Sequence, residues 1–435
     1  MPSTALVRLV AILLLQSATG LVAGQAVDAG RQAITIAMTA EPPNLNSMRM
    51  TDLVSFFVIG HINEGLLRYD RRGQLAPGVA ESWAVQPGKI TFKLRKDARW
   101  QDGSPVTAHD FVYAWRRVND PKEAAPFAAI MYPLANAEKV QQGQLPVTKL
   151  GVRAEDDRTL VMQLERPCGY CLALVSHGTF FPVQAAFHQA AGSNFGGEAQ
   201  HLLANGPFKM TEWTHESSML LVKNDAYWNR DQIHLNEIKI GYITTDNRAR
   251  LNLFRDNQIA LVRLGTETVQ DAASQGMRLR IFESGGLSYI WFNHRKGRAT
   301  RHKVLRRAIQ LVFDPEVFVN QVIAIPGYKP ARSLFPTWMK TDAGRFADTH
   351  PPPAIKRDPT AAKALLAQLS ESEGPLPKLS LLTVASPTGA KVAEYLQGLL
   401  RQTLNLDVKV DQQSFKQYLS KARQGDFDLA LASWY

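Results

Sequence analysis

With 435 residues, 45% of them hydrophobic and 20% charged, the chain can bury a large core spread over two or three lobes, which excludes a disordered polypeptide. Its 50 Lys and Arg against 39 Asp and Glu leave a formal charge of +11, which raises nucleic acid or an anionic surface as a partner. The cations are scattered in pairs such as Arg71-Arg72, Arg116-Arg117 and Arg306-Arg307, beside apolar residues that fit ordinary solvated faces, and no nucleic-acid motif accompanies them; nucleic acid is set aside.

At the N-terminus, Arg8 precedes the apolar run Leu9–Leu15, small residues follow at Leu21-Val-Ala-Gly24, and no acidic residue occurs before Asp28. This is the layout of a secretory signal peptide over residues 1–24, with cleavage around Gly24 to Ala26; an uncleaved anchor helix is the competing reading, and the shortness of the run weighs against it. No Cys lies near the cleavage region to carry a lipid anchor, and no second apolar run is long enough to span a membrane. A soluble periplasmic protein is expected.

Ala33–Ala37 reads as a first strand, and Lys89–Arg95 alternates, with Ile90, Phe92 and Leu94 on one face. The turn Asp102–Asp110 hands over to a helix with Thr107 as N-cap and Asp110 three residues on, a capping-box spacing; Phe111, Ala114, Trp115 and Val118 then form an apolar stripe. Leu160–Leu164 reads as a strand and is followed by the two cysteines of the chain, Cys168 and Cys171. A C-x-x-C in an exported protein is a redox pair, half of a metal site or a local disulfide. No thioredoxin-sized domain surrounds it, and a zinc site would need His177 and His188 to fold back onto it. The reading taken is a structural disulfide.

Pro351–Pro353 and its polar surroundings read as a surface connection. Beyond it, Lys378–Val384 is a strand, Ser386 and Pro387 open a helix to about Leu404, Leu406–Val410 is a strand, Ser414–Arg423 a helix, and Phe427 onward a third strand. This β-α-β-α-β order predicts a parallel sheet covered by helices. Ligands of such sheets bind beyond the carboxyl ends of the strands, where Ser386, Gln412 and Trp434 fall.

Glu64-Gly-Leu-Leu, Leu75-Ala-Pro-Gly-Val-Ala-Glu-Ser-Trp83, Thr91–Trp100 and Asp102–Trp115 resemble, in order, the signature of the periplasmic oligopeptide-binding proteins of ABC importers. Asn205-Gly-Pro-Phe208, Asn224-Asp-Ala-Tyr-Trp228 and Gly425-Asp-Phe-Asp-Leu429 are similar to later motifs of that family. The resemblance implies an α/β fold of the periplasmic binding protein type II with an extra inserted lobe. Lobe I takes 25–61 and 182–284, the inserted lobe 62–181, and a third, incomplete lobe 285–435. It further implies a monomer that closes on a short peptide held through its main chain, docks on an inner-membrane ABC permease, uses no cofactor or metal and catalyses no reaction. By position, Phe127, Tyr289, Trp291, Asn293, Arg423 and Trp434 match residues at the cleft, and Asn205 and Gly206 match a turn at the lobe junction.

The family runs on past Trp434, where an Asp meets the peptide's ammonium. That group is expected to be missing here, and Leu431 stands where the best-known relatives have a second arginine, so terminal capture is expected to be impaired. The strand from Asp426 is expected to present an open edge, a template for self-association. Two other function classes stay open: a binding protein for a murein peptide, metal chelate or haem, and an exported redox or hydrolytic enzyme built on Cys168 and Cys171 or on His109 and Asp110. No Ser-His-Asp spacing, H-E-x-x-H or phosphate loop supports the enzyme.

Overall fold

A computed structural model describes residues 25–282, 285–336, 339–341, 343–352 and 355–434. Residues 1–24, expected to form a signal peptide, lie outside the described residues, as do Pro353 and Tyr435. No helix among the described residues is long and apolar enough to cross a membrane.

The chain starts with β1 (Val27–Asp28), β2 (Ala33–Met38) and α1 (Leu53–Ile62). It then builds a separate lobe from β3 (Ala80–Gln86), β4 (Lys89–Leu94), α2 (Ala108–Asn119), β5 (Val152–Asp156) and β6 (Thr159–Gln163). These strands form an antiparallel sheet in the order β3-β4-β6-β5. Helix α2 forms where the capping residues fall: the Asp110 carboxylate accepts the Thr107 N–H at 2.8 Å and the Trp100 indole N–H at 3.3 Å. Its apolar stripe, Phe111, Ala114, Trp115 and Val118, is buried with Phe92, Trp100 and Phe180 in one core.

The chain returns with β7 (Phe208–Thr214), β8 (Ser218–Lys223), β9 (Glu237–Ile243) and α3 (Asn247–Arg255). Strand β9 runs parallel to β2, with Ile34 opposite Ile238 and Ile36 opposite Ile240, in a sheet ordered β1-β2-β9-β8-β7. The first lobe is therefore closed by segments from both sides of the inserted one.

A third lobe follows: β10 (Leu287–Phe292), α4 (Lys303–Val312), α5 (Pro359–Glu373), β11 (Leu379–Val384), α6 (Pro387–Leu404), β12 (Val408–Gln413), α7 (Phe415–Gln424) and β13 (Leu429–Trp434). Here β13, β11 and β12 are parallel, as the β-α-β-α-β order requires, and β10 adds antiparallel to β13. The order is β10-β13-β11-β12. The expectation of an open edge on the strand from Asp426 is thus corrected: β13 lies inside the sheet with a partner on each side, because β10 reaches it from more than a hundred residues upstream. Leu305, Ile309, Leu366, Leu396 and Leu400 of α4, α5 and α6 cover one face, and Tyr418 and Ala422 of α7 pack on the other.

The chain crosses between the first two lobes at Asn63–Arg68 and again at Leu203–Gly206. Glu64 is buried there and accepts the Tyr227 hydroxyl at 2.6 Å and the Trp228 indole N–H at 2.7 Å. The Arg68 guanidinium lies 3.6 Å from the same carboxylate, and the Arg95 guanidinium sits 3.3 Å from the centre of the Trp228 ring. Burial pushes the Glu64 carboxyl above its ordinary range, and the hydrogen bonds from Trp228 and Tyr227 pull it back. A Glu64→Ala change leaves two largely buried donors unpaired; about 1–3 kcal/mol for each such group predicts a loss of roughly 2–4 kcal/mol. Thermal and urea denaturation of the purified chain check this, with Glu64→Gln, which keeps an acceptor oxygen, expected to lose less.

Candidate ligand cleft

Aromatic side chains from all three lobes meet in one row. Phe56 projects from α1, whose N-cap Asp52 accepts the Ser55 N–H at 2.7 Å and whose buried face, Val58, Ile59 and Ile62, belongs to the first core. Its ring lies 5.7 Å from that of His177 in the inserted lobe. His177 is 5.8 Å from Phe127 of the same lobe, and Phe127 is 5.9 Å from Trp434 at the end of β13. The last two contacts are edge-to-face, the favourable geometry for ring quadrupoles. Trp434 is 58% exposed and Phe56 36%, so the row presents apolar surface to solvent.

Local structure fixes each member. Ala128 and Met131 of the short turn after Phe127 are anchored in the inserted-lobe core, which leaves the Phe127 ring outside it. Side chains of β13 alternate between the two sheet faces, placing Trp434 on the α7 side with Ala430. The His177 ring accepts the Thr179 N–H through Nδ1 at 3.2 Å, capping the turn Gly178–Phe180. That contact needs an unprotonated Nδ1, and burial lowers the pKa of the ring.

Glu267 ties the first lobe to the third: the Asn247 amide of α3 donates to it at 2.6 Å, and the Thr388 hydroxyl in the first turn of α6 lies 3.5 Å away. The Ser386 hydroxyl is taken as the α6 N-cap, accepting the Gly389 N–H at 3.1 Å. Gln412 is exposed at the carboxyl end of β12.

The residues expected at the cleft fall into three sets. Phe127 and Trp434 are brought together. Asn205 and Gly206 are inside the lobe junction: the Asn205 amide donates to the Glu64 carbonyl at 2.9 Å and accepts the Glu64 N–H and an Asn63 amide hydrogen, each at 3.1 Å. A Cβ on Gly206 would lie 2.8 Å from the Asn63 nitrogen, so only glycine permits this crossing. Tyr289, Trp291, Asn293 and Arg423 lie along the β10–β13 pair and at its far end, Tyr289 opposite Ala432 on the sheet face that carries Trp434. Tyr289 is half-buried on the α7 face, and the Trp291 ring packs against Phe427 with centroids 5.0 Å apart and planes tilted by 54°. Asn293 is 4% exposed and donates to the Gly425 and Phe427 carbonyls at 2.9 and 2.8 Å. Arg423 is exposed at the end of α7, its carbonyl accepting from Arg295, and stands at the opposite end of β13 from Trp434.

Cys168 and Cys171 are joined by a disulfide. His177 and His188, the partners a zinc reading would need, are engaged elsewhere, His188 with the Tyr113 hydroxyl at 2.8 Å. Phe56 and the place of His177 in the aromatic row escaped the sequence reading. The available signal was a pair of aromatics, Phe56-Phe57, on a helix with a complete apolar face of its own.

The family model described as bacterial extracellular solute-binding proteins, family 5 middle, matches residues 74–435. The chain is 29% identical to the dipeptide-binding protein of Bacillus subtilis, over 94% of this chain and 75% of that protein. It is 31% identical to the periplasmic oligopeptide-binding protein of Escherichia coli, over 85% and 68%. The crystal structure of an oligopeptide ABC transporter substrate-binding domain from Bacillus anthracis superposes with a TM-score of 0.87 at 32% identity, covering 94% of this chain and 80% of that one.

His177 yields a pH prediction. Its folded pKa lies below the ordinary 6.5, so the unfolded chain takes up more protons as pH falls through that value. The stability it supports is therefore present above the unfolded pKa and lost on acidification. His188, lowered by burial and then by Arg117, acts in the same sense. His215, raised by its hydrogen bond to Glu41, contributes in the opposite sense, and its half-exposed ring makes that weaker. His177→Gln is expected to flatten the fall in melting temperature between about pH 7 and about pH 5, read by calorimetric scans at stepped pH.

Proposed function

The chain belongs to family 5 of the bacterial extracellular solute-binding proteins, and from that premise we propose that it captures short peptides outside the cytoplasm and delivers them to an ABC importer. The observation that carries this reading is the aromatic row Phe56–His177–Phe127–Trp434, which draws one member or more from each lobe. A ligand lying on it touches all three lobes at once, so binding energy is available to hold them together. Rings offer sequence-tolerant contact to apolar and aromatic side chains of a peptide, while backbone groups and water meet its main chain. Relatives that bind peptides, by name the dipeptide-binding protein of B. subtilis and the oligopeptide-binding protein of E. coli, support the same class of ligand.

We assign ligand contact to Phe127 and Trp434, with Phe56 and His177 beside them. Asn205, Gly206 and Asn293 hold the framework, and the Cys168–Cys171 disulfide serves stability, not chemistry. The role is capture and release, with no bond made or broken, in the periplasm after removal of residues 1–24, opposite an inner-membrane permease.

The test is calorimetry and thermal shift with a mixed set of short peptides, alongside metal chelates, haem and sugars. A ligand at a hundred times its dissociation constant stabilises by about 2.7 kcal/mol, which is readily seen. Peptides are expected to stabilise the chain; a response to chelates or sugars and to no peptide would overturn the reading. Phe127→Ala and Trp434→Ala are each expected to weaken peptide binding by roughly tenfold, about 1.4 kcal/mol, with little change in the melting temperature of the free protein.

A further inference from the structure

Arg250 of α3 is a buried cation, 6% exposed. Its guanidinium donates to the Thr244 carbonyl at 2.8 Å and to the Asn247 side-chain oxygen, while its Nε has no hydrogen-bond partner among the described residues. A buried charge left uncompensated is strongly destabilising. Burial lowers the pKa of this guanidinium, and the Glu267 carboxylate is the foremost charge acting against that. Asn247 stands between the two, its oxygen on Arg250 and its amide hydrogen on Glu267 at 2.6 Å. A Cβ on Gly265 would run into the Asn247 amide, so glycine is what lets the segment carrying Glu267 lie so close. All of these residues belong to the first lobe, which therefore holds the Glu267 carboxylate in place from behind.

In front of it stands the third lobe. The Thr388 hydroxyl lies 3.5 Å from both the Glu267 carboxylate and the Asn247 amide nitrogen. Thr388 is the second residue of α6, an 18-residue helix capped by Ser386, so the carboxylate also stands at the positive end of that helix. We propose that Glu267 is a latch for the closed lobes: a carboxylate preset on the first lobe that engages Thr388 and the start of α6 when the third lobe closes, and turns to water when the lobes part. The latch rests on the reading of the chain as a protein that captures a ligand between its lobes.

The setting of the lobes supports this. The chain superposes on the structure of the Escherichia coli murein tripeptide binding protein MppA with a TM-score of 0.82, covering 92% of this chain and 79% of that one, at 28% identity. On the unliganded open form of MppA the TM-score is 0.61, over 94% and 79%, at the same identity. The contact of Glu267 with Thr388 therefore occurs in an arrangement unlike that open form. Its length is also fitting: a ligand shifts an equilibrium only by its differential affinity for the two states, and a weak latch adds to that difference without replacing it.

Spin labels on Glu212→Cys in the first lobe and Lys409→Cys in the third, both exposed positions, report the distance between the lobes by pulsed electron paramagnetic resonance, since both native cysteines are already joined. Thr388→Val removes the hydroxyl and keeps the shape, and Glu267→Gln removes the charge and keeps an acceptor for Asn247. Each is expected to move the lobes toward longer distances and to speed peptide dissociation by roughly three- to tenfold, the worth of one polar contact. Thr388→Val is expected to do so with the melting temperature unchanged. The two changes together are expected to have no more effect than Glu267→Gln alone, because both act on one contact. Distances that lengthen in a chain that binds no peptide would uphold the latch and overturn the peptide reading. Distances and dissociation rates unchanged in both variants of a chain that does bind peptide would overturn the latch and leave that reading standing.

Discussion

The carboxylate of Glu64 is the constraint on which the other arrangements rest. Removing it from water is unfavourable, and the penalty is met only because the Tyr227 hydroxyl, the Trp228 indole and the Arg68 guanidinium converge on it. Tyr227 and Trp228 come from the stretch after β8, more than a hundred and fifty residues downstream, so satisfying one side chain fixes where the chain must pass on its return. Asn205 repeats the device with backbone groups, gripping the Glu64 N–H and carbonyl from the second crossing. Asn224 then binds the Gly206 carbonyl at 2.9 Å, tying the crossing to the motif that supplies Tyr227 and Trp228. A buried polar network of this kind is specific because every partial version of it leaves an unpaired group.

From that junction the cleft follows. With the inserted lobe held against the first, Phe127 and His177 are presented beside Phe56. The third lobe then brings Trp434 to the row from the carboxyl end of its parallel sheet, where open α/β sheets expose their strand ends. Polar contact between the first and third lobes is lighter, passing through Glu267 and Thr388 at 3.5 Å. Among the described residues, the first two lobes share a buried polar network at Glu64, while the third meets them at Trp434 beside Phe127 and at Thr388, 3.5 Å from both Asn247 and Glu267.

Several features were legible in the residues alone. The capping pair Thr107 and Asp110, the alternation of Lys89–Leu94, and the β-α-β-α-β order from Leu379 to Trp434 are local patterns, and each produced the element it predicts. The ordered motifs Glu64–Leu67, Asn205–Phe208 and Asn224–Trp228 marked the family, and their side chains form the junction between the first two lobes. Recognition and structural role are separable, because a motif records that residues must stay together without saying what they touch.

The sequence by itself determined the local elements, their apolar faces and the α/β class, since these depend on spacing and capping within a few residues. Tertiary structure alone decided that β10 crosses back to cover β13, that Trp291 and Trp434 lie at opposite ends of one strand pair, and that Phe56 and His177 join Phe127. Each of these is a contact between segments separated by tens to hundreds of residues. A strand's period states which side chains share a face but not which neighbour the face or edge will meet. That choice is made only when burial of the lobes and satisfaction of their buried polar groups are solved together.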